Sequence, residues 1–199
     1  MNDKQIVLAS GNKGKVAEFN HLLSEFAITV SPQSDFNVES VPETGTTFVE
    51  NAIIKARHAA AVTGLPAIAD DSGLVVSALN GAPGIYSSRY AGENANDSGN
   101  IDKLLSDMQE SEDRNAHFYC CLVFLRHAND PVPMIAEGRW FGTITHQRQG
   151  DNGFGYDPVF YVPELSKTAA QMPKDEKGRI SHRAKALALL MPQLKDYFA

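Results

Sequence analysis

Two adjacent carboxylates, Asp70 and Asp71, follow a short apolar run and precede Ser72 and Gly73. Open α/β sheets usually bind ligands beyond the ends of their strands, so carboxylates placed there could hold a cation or activate a water molecule. Successive strand residues face opposite sides, and local geometry does not choose between the two aspartates. An Asx turn, in which a carboxylate only stabilises the backbone, is the structural alternative.

A second group of candidates joins a β-rich run to a segment with helical spacing. It comprises Ser10, Gly11, Asn12, Lys13, Gly14 and Lys15. Backbone N–H groups at the start of a helix could bind a phosphate, and the two lysines would add positive charge. Only two residues separate the glycines, so this is not a Walker A loop. An ordinary glycine turn with solvated lysines is the alternative.

Two further charged residues, Glu43 and Lys55, could complete such a site. Glu43 lies in a polar turn before a helix that opens at Thr47, where its carboxylate could bring a second ligand to Mg²⁺. Lys55 lies one helical turn after Asn51, and its ammonium could reach phosphate or extend to solvent. Considered singly, a surface glutamate and a solvated lysine are the simpler interpretations.

Later in the chain, an aromatic loop and a basic pair add candidates for ligand binding. The loop residues are Phe154, Gly155, Tyr156 and Asp157. They could present an aromatic face to a base, an open backbone and a carboxylate, although either ring could instead pack in the core. His182 and Arg183 follow Ser181 at the start of a closing helix, where positive charge opposes the dipole. This placement favours an anionic or carbonyl-bearing ligand.

The segments that must position these residues alternate between strand and helix patterns. Strands are predicted at 5–10, 27–30, 65–69, 117–126, 134–145 and 159–162, and helices at 16–26, 47–62, 101–108 and after Ser181. Another short apolar run follows at 74–79. Residues 80–98 are rich in Gly, Asn, Ser and Pro and are predicted to form a loop. A turn at 129–131 predicts an antiparallel strand pair on either side of it. The mixture predicts an α/β fold with a mixed sheet.

Composition limits the classes of function. The chain has 199 residues, 43% hydrophobic and 21% charged, which is typical of one globular domain. Its 18 basic and 24 acidic residues give a net charge of −6, which argues against general binding to nucleic acid polymers. A compact phosphate ligand is still compatible with this charge, because a few lysines and backbone amides can gather in one cleft.

Cys120 and Cys121 are the two cysteines, and they lie in an apolar strand pattern. We expect buried thiols rather than a disulfide framework or zinc site, which indicates a reducing compartment. The N-terminal residues lack the apolar region of a signal peptide, and no stretch approaches the roughly 18 apolar residues of a membrane span. We therefore expect a cytoplasmic protein that does not insert into membranes.

The order of the motifs resembles the inosine triphosphate pyrophosphatase family, and within it the bacterial branch that acts on dITP and XTP. The motifs are residues 10–15, 43–45, 48–57, 69–73, 81–86, 153–157 and 181–183. They span nearly the whole chain, and seven ordered motifs are far more specific than any one of them. Ser10 stands where many relatives have Thr, which preserves the hydroxyl group.

The resemblance implies a fold, a reaction and an assembly. The fold would be a single two-lobed α/β domain over residues 1–199, with a long central mixed β-sheet flanked by helices and an active site in the cleft between the lobes. The reaction would cleave ITP, dITP and XTP between the α and β phosphates, giving the monophosphate and pyrophosphate with Mg²⁺. The protein would be a homodimer that removes deaminated purines from the nucleotide pool.

The resemblance also assigns residues to roles. Residues 10–15 would bind the triphosphate with support from Lys55. Glu43 and Asp71 would hold Mg²⁺, and Asp71 rather than Asp70 would accept the proton. The remaining substrate site would comprise Ser72, Phe154, Gly155, Tyr156, Asp157, Lys177, His182 and Arg183, with the aromatic loop and the His-Arg pair nearest the base.

Two other functions would use some of the same residues. A purine nucleotide-binding protein without catalysis would not need Asp71 and Glu43 near phosphate, because carboxylates repel phosphate unless a cation lies between them. A small-molecule phosphatase would release orthophosphate rather than pyrophosphate. The products therefore discriminate among the three functions.

Overall fold

The structure is a computed structural model that describes residues 5–23 and 29–199. Its strands are β1 (Gln5–Leu8), β2 (Thr29–Pro32), β3 (Ala67–Val76), β4 (Asn115–Leu125), β5 (Met134–Ile144), β6 (Phe160–Val162) and β7 (Lys167–Thr168). Its helices are α1 (Lys13–Leu23), α2 (Phe48–Thr63), α3 (Asp97–Asp107), α4 (Lys174–Ile180) and α5 (His182–Phe198). This alternation confirms the predicted α/β class. No helix among the described residues is both long and apolar enough to cross a membrane.

The strands of the described residues form one sheet in the order β2-β1-β3-β4-β5-β6-β7. β1 is parallel to β2 and to β3, whereas β6 is antiparallel to β5 and to β7, so the sheet is mixed as predicted. Leu8 lies opposite Ile68, and the Ala9 N–H donates to the Ile68 carbonyl at 2.8 Å. Ser10 and Asp70 each come two residues after this pair, so they lie at the same height along the two neighbouring chain segments.

The chain divides into two compact units, each with its own core. The first unit contains the described residues up to Asp71, Cys120–Gly138 and Ala184–Ala199, and the second contains Ser72–Tyr119 and Arg139–Arg183. In the first unit, side chains of β1, α1, β4 and α5 pack together, among them Phe19, Phe124 and Leu190. In the second unit, Trp140 and Phe160 lie at the centre of the core. Both cysteines are buried free thiols, as predicted.

Helix α2 carries two site residues and has well-defined ends. The Thr47 hydroxyl accepts from the Glu50 N–H and the Glu50 carboxylate accepts from the Thr47 N–H, which forms a capping box. Gly64 ends the helix with a φ of 69°, a left-handed conformation that glycine adopts without steric cost. Small alanines such as Ala56 form its fully buried side, which allows close packing.

The predicted end of a strand at residue 69 is wrong, because β3 continues through Asp70, Asp71, Ser72 and Gly73 into the apolar run that follows. One hydrogen bond and one close approach of the backbone fix the end of this polar stretch. The Leu74 N–H donates to the Ser87 hydroxyl at 2.9 Å, and a Cβ at Gly73 would collide with the Gly84 carbonyl. The two aspartates lie within a strand, so the Asx-turn interpretation is also wrong.

The bounds of other helices and strands also differ from the predicted ones. Helix α1 begins before the predicted residue 16, because the Asn12 side chain accepts from the Lys15 N–H at 3.1 Å and caps the first turn. The predicted loop 80–98 contains the 3₁₀ helix Gly84–Arg89. Helix α4 and strand β7 were not predicted, whereas α5 begins directly after Ser181 as expected. The predicted strand at 27–30 corresponds to β2 at Thr29–Pro32, and residues 24–28 lie outside the described residues.

Candidate active site

Lys55 is the centre of a buried charged cluster in the first unit. Its ammonium nitrogen lies 2.6 Å from Asp71 Oδ1 and 2.8 Å from Glu43 Oε1. It also donates to the backbone carbonyl of Asp70 at 2.9 Å. An ammonium has three N–H donors, so three acceptors from a strand and a loop match its capacity. The structure thus brings Glu43, Lys55 and Asp71 together in one cluster.

Burial and charge act in opposite directions on this cluster. Burial disfavours the charged form of Lys55, but the carboxylates of Asp71 and Glu43 outweigh it and raise the pKa of the lysine. Burial raises the pKa of Asp71, and the ammonium groups of Lys55 and Lys15 offset only part of that effect. Asp71 is therefore a stronger base than an exposed aspartate, while Lys55 is firmly protonated.

The turn that carries Glu43 is fastened to α2 by Asn51. The Gly45 N–H donates to Asn51 Oδ1 at 2.8 Å, and Asn51 is fully buried. The fit is tight, because a Cβ at Gly45 would lie 2.5 Å from Glu50 Cβ and 2.7 Å from Asn51 Oδ1. The sequence prediction did not include Asn51 as a site residue. Its position one helical turn before Lys55 is the signal that could have identified it.

The 10–15 segment forms a capped helix start. The Asn12 N–H donates to the Ser10 hydroxyl at 3.2 Å, while the Asn12 side chain caps α1. The Lys15 ammonium donates to the Asp70 carbonyl at 3.4 Å, the same oxygen that accepts from Lys55. Two cations that converge on one oxygen repel each other, and an anionic ligand beside them would relieve that repulsion.

The donor set fits a hard divalent cation. Asp71 Oδ2 is buried and has no hydrogen-bond partner among the described residues, so this oxygen can act as a ligand. The Glu43 carboxylate adds a second oxygen donor through its shared contact with Lys55. No group of three or more His, Cys, Asp or Glu ligands occurs in residues 5–23 and 29–199. Two carboxylates suit an ion that takes its other ligands from water and substrate phosphates.

In the second unit, Asp157 organises the aromatic loop. Asp157 Oδ2 accepts from the Lys177 ammonium at 2.5 Å and from the Phe154 N–H at 3.0 Å. The Lys177 nitrogen lies 4.9 Å from the centroid of the Phe154 ring, within range of a cation–π interaction. Gly155 has a φ of 61°, and its N–H donates to Asp97 Oδ2 at 2.7 Å. Asp97 was not among the predicted residues.

The start of α5 supplies two more buried side chains to the second unit. The Arg183 guanidinium donates to the Ser72 hydroxyl at 3.1 Å and is 1% exposed. The His182 ring stacks on Phe118, with centroids 4.8 Å apart and planes inclined by 14°. An arginine guanidinium carries five N–H donors in a planar fork, a geometry suited to the recognition of a carbonyl oxygen. Ser72 and Arg183 are thus brought together as one candidate site.

Tyr156 has a different environment from the other loop residues. Its ring belongs to the core of the second unit, and its hydroxyl donates to the Ser87 carbonyl at 2.8 Å. The core-packing interpretation therefore describes Tyr156, while Phe154 packs against Lys177 as described above. Through this contact, Tyr156 can anchor the loop to the core of the second unit.

Comparison with known proteins identifies the family. Residues 6–193 match the model of the Ham1 family. Proteins named dITP/XTP pyrophosphatase from Erwinia tasmaniensis and Photobacterium profundum are 59% and 60% identical over 194 residues, covering 96% of this chain and 95% and 98% of those proteins. These names confirm the resemblance inferred from motif order.

Solved structures give the same result. A HAM1 protein from Coxiella burnetii is 52% identical with a TM-score of 0.90, covering 96% of this chain and 98% of that chain. The Ham1 protein of Staphylococcus aureus is 46% identical with a TM-score of 0.85, covering 97% of this chain and 99% of that chain. The chain therefore belongs to the Ham1 family.

Proposed function

We propose that this protein hydrolyses dITP, ITP and XTP to the monophosphate and pyrophosphate. The observation that carries the proposal is the position of Lys55 between the carboxylates of Glu43 and Asp71, beside the Lys15 ammonium. Cleavage of a phosphoanhydride needs such opposite charges close together, to bind the phosphates and to activate water. The relatives named dITP/XTP pyrophosphatase support this choice of substrate. The reaction would remove deaminated purines from the nucleotide pool.

The triphosphate binds to the first unit in this proposal. The candidate ligands are Ser10, Gly11, Asn12, Lys13, Gly14, Lys15 and Lys55. The start of α1 offers backbone N–H groups and the positive end of the helix dipole. The Lys15 and Lys55 ammonium groups meet at the Asp70 carbonyl, which concentrates positive charge at one position.

Glu43 and Asp71 would hold Mg²⁺. Lys55 keeps both carboxylates near each other and favours their ionised forms, which are the forms that bind a hard cation. When bound, the ion would neutralise negative charge on the phosphate oxygens.

Asp71 would also accept the proton of the attacking water. The water oxygen forms a bond to the α phosphorus, the bond from that phosphorus to the bridging oxygen breaks, and pyrophosphate leaves. The proton of the water passes to the Asp71 carboxylate, whose pKa is raised by burial. Lys55 and Lys15 stabilise the negative charge that develops on the phosphates.

The base would bind to residues of the second unit, namely Ser72, Phe154, Gly155, Tyr156, Asp157, Lys177, His182 and Arg183. Hypoxanthine and xanthine carry a carbonyl at C6 where adenine carries an amine. A fixed donor such as Arg183 gains a hydrogen bond from the carbonyl and is left unpaired by the amine. The buried contact of Arg183 with Ser72 holds that donor in one orientation.

We also propose a cytoplasmic homodimer that binds neither nucleic acid nor membrane. The net charge of −6 supports the absence of nucleic acid binding. Homodimer formation is carried over from the family resemblance that the ordered motifs carry. Light scattering after gel filtration should give twice the chain mass of 21.7 kDa, and a monomer at micromolar concentration would contradict the dimer.

The reaction class is tested by resolving products. The protein is incubated with Mg²⁺ and with ITP, dITP, XTP, GTP or ATP in separate reactions, and all phosphate products are quantified. We expect equal amounts of monophosphate and pyrophosphate, with the deaminated purines cleaved fastest. Orthophosphate as the first product would indicate a phosphatase, and tight binding without turnover would indicate a nucleotide-binding protein.

A further inference from the structure

We propose that Asp70 is a positioning residue that fixes the Lys15 ammonium for triphosphate binding, and that the Cys120 thiol fixes the Asp70 carboxylate in turn. This inference rests on the proposed function, because it takes Lys15 as a ligand of the triphosphate. The family resemblance assigns the chemistry to Asp71 and gives Asp70 no role.

The two carboxylate oxygens of Asp70 bind different elements. Oδ1 lies 2.6 Å from the Lys15 ammonium on α1, and Oδ2 accepts from the Cys120 thiol on β4 at 3.2 Å. The Asp70 side chain is 0% exposed and that of Lys15 is 15% exposed. A buried carboxylate is costly unless it is paired and hydrogen-bonded, and these two contacts satisfy that requirement.

The position of Lys15 explains why it needs an anchor. Lys15 lies in the first turn of α1, where the helix dipole disfavours a cation. The long lysine side chain would otherwise be mobile there, and ordering it on binding would weaken affinity for phosphate. The carboxylate and carbonyl of Asp70 accept two of its three N–H donors, so one donor remains for an anion.

The Cys120 thiol restrains the Asp70 carboxylate in turn. Cys120 is fully buried in β4, the neighbour of β3 in the sheet, so its sulfur cannot move far. Its S–H is a weak donor, yet it holds the second oxygen of Asp70 and prevents the carboxylate from rotating away from Lys15. The arrangement forms a chain of contacts from Cys120 through Asp70 to Lys15.

The test combines Asp70→Asn and Lys15→Met, alone and together, in the full-length protein. We expect Asp70→Asn to raise the KM for ITP about tenfold and to change kcat by less than about threefold, since a charge-assisted hydrogen bond is lost outside the reacting atoms. Lys15→Met should raise KM at least as much. The double variant should be no worse than Lys15→Met, because Asp70 acts through Lys15.

The contradicting outcomes separate this inference from the proposed function. If Lys15→Met raises KM but Asp70→Asn leaves it unchanged or lowers it, Asp70 does not position Lys15 and the inference is wrong. Independent, multiplying effects in the double variant would overturn it too. If Lys15→Met itself leaves KM unchanged, the assignment of Lys15 to the triphosphate fails instead.

A second pair of variants, Cys120→Ser and Cys120→Ala, tests the thiol and applies even if Asp70→Asn does not fold. Cys120→Ser keeps a donor and should keep KM within about twofold of the parent, while Cys120→Ala should raise it about threefold. Equal KM values in Cys120→Ala and the parent, with only a lower melting temperature, would show a purely structural thiol and overturn its positioning role.

Discussion

The ammonium of Lys55 lies 2.6 Å from Asp71 Oδ1, and the two side chains are only 15% and 8% exposed. This contact joins helix α2 to strand β3 at the proposed phosphate site. A lysine suits the position better than an arginine, because its ammonium is a compact charge that directs three donors to separate acceptors.

Replacing Lys55 with Met should impair both activity and folding stability. The variant keeps an apolar side chain of similar length but takes the nearest cation away from the buried carboxylate of Asp71 and from the half-buried carboxylate of Glu43. We expect the free energy of unfolding to fall by about 3 kcal/mol, and kcat/KM for ITP to fall at least about 100-fold. Urea unfolding and steady-state kinetics near neutral pH measure the two effects.

Lys103→Met is the matched control. Lys103 pairs with Asp107 at 2.9 Å on α3, but its side chain is 42% exposed. Exposed pairs contribute at most about 1 kcal/mol, so this variant should stay close to the parent in stability and activity. An equal loss of stability in both variants would show that the Lys55 contacts have no special energetic role.

Removal of the metal should stop turnover, and Glu43 should set the concentration of metal required. We expect EDTA to abolish hydrolysis of ITP and added Mg²⁺ to restore it. Glu43→Gln removes one of the two proposed carboxylate ligands, so half-maximal activity should need at least about tenfold more Mg²⁺. An unchanged Mg²⁺ requirement in Glu43→Gln would assign the second ligand to another residue.

Gly45→Ala should displace the turn that carries Glu43. The new Cβ would lie 2.5 Å from Glu50 Cβ and 2.7 Å from Asn51 Oδ1, so the turn must shift. We expect kcat/KM to fall about tenfold. Gly99→Ala is the control, because its Cβ would meet Asn96 Oδ1 at an ordinary 3.5 Å. If Gly45→Ala and Gly99→Ala have the same activity, the Gly45 contact does not position Glu43.

The turn between β4 and β5 should make stability depend on pH through Asp130. Its carboxylate accepts from Arg126 Nε at 2.7 Å and from the Val132 N–H at 3.0 Å. Hydrogen bonds and charge from Arg126 hold the pKa of Asp130 well below its usual value. The stabilisation is therefore complete above the unfolded-state pKa of about 4 and is lost as pH falls toward the folded-state pKa.

Asp130→Asn measures this dependence. The difference in urea midpoint between the parent and Asp130→Asn should be constant above about pH 5 and should narrow as the pH is lowered toward about 3. A difference that stays the same at every pH would show that the ionised carboxylate does not stabilise the fold.

The sequence predicted the elements whose patterns are local. Apolar periodicity located α2 and β4, and Ser181 marked the start of α5 correctly. The continuity of β3 could not be predicted, because its polar centre is kept extended by contacts from distant residues such as Ser87. Helix α4 has seven residues, including Gly178, and is too short to show a clear helical period.

In the candidate site, too, the sequence reveals local patterns but not the contacts between residues that are distant in the chain. Considered locally, Lys55 is an ordinary helical lysine, and only the folded chain brings it within 2.6 Å of Asp71. The alternation of side chains along a strand gives the two carboxylates different nearest cations, Lys15 for Asp70 and Lys55 for Asp71. The sequence pattern does not reveal that the Asp70 backbone carbonyl accepts from Lys55 and so joins the cluster around Asp71, because every residue has a backbone carbonyl.

The most direct measurement is the turnover of ITP by Asp71→Asn, together with its folding and its affinity for ITP. The substitution preserves the shape of the side chain but removes the charge that would bind Mg²⁺ and accept the proton. We expect kcat to fall at least about 1000-fold, with an unchanged circular dichroism spectrum and measurable binding of ITP. A folded Asp71→Asn protein that still releases pyrophosphate at the parent rate would contradict the assignment of Asp71.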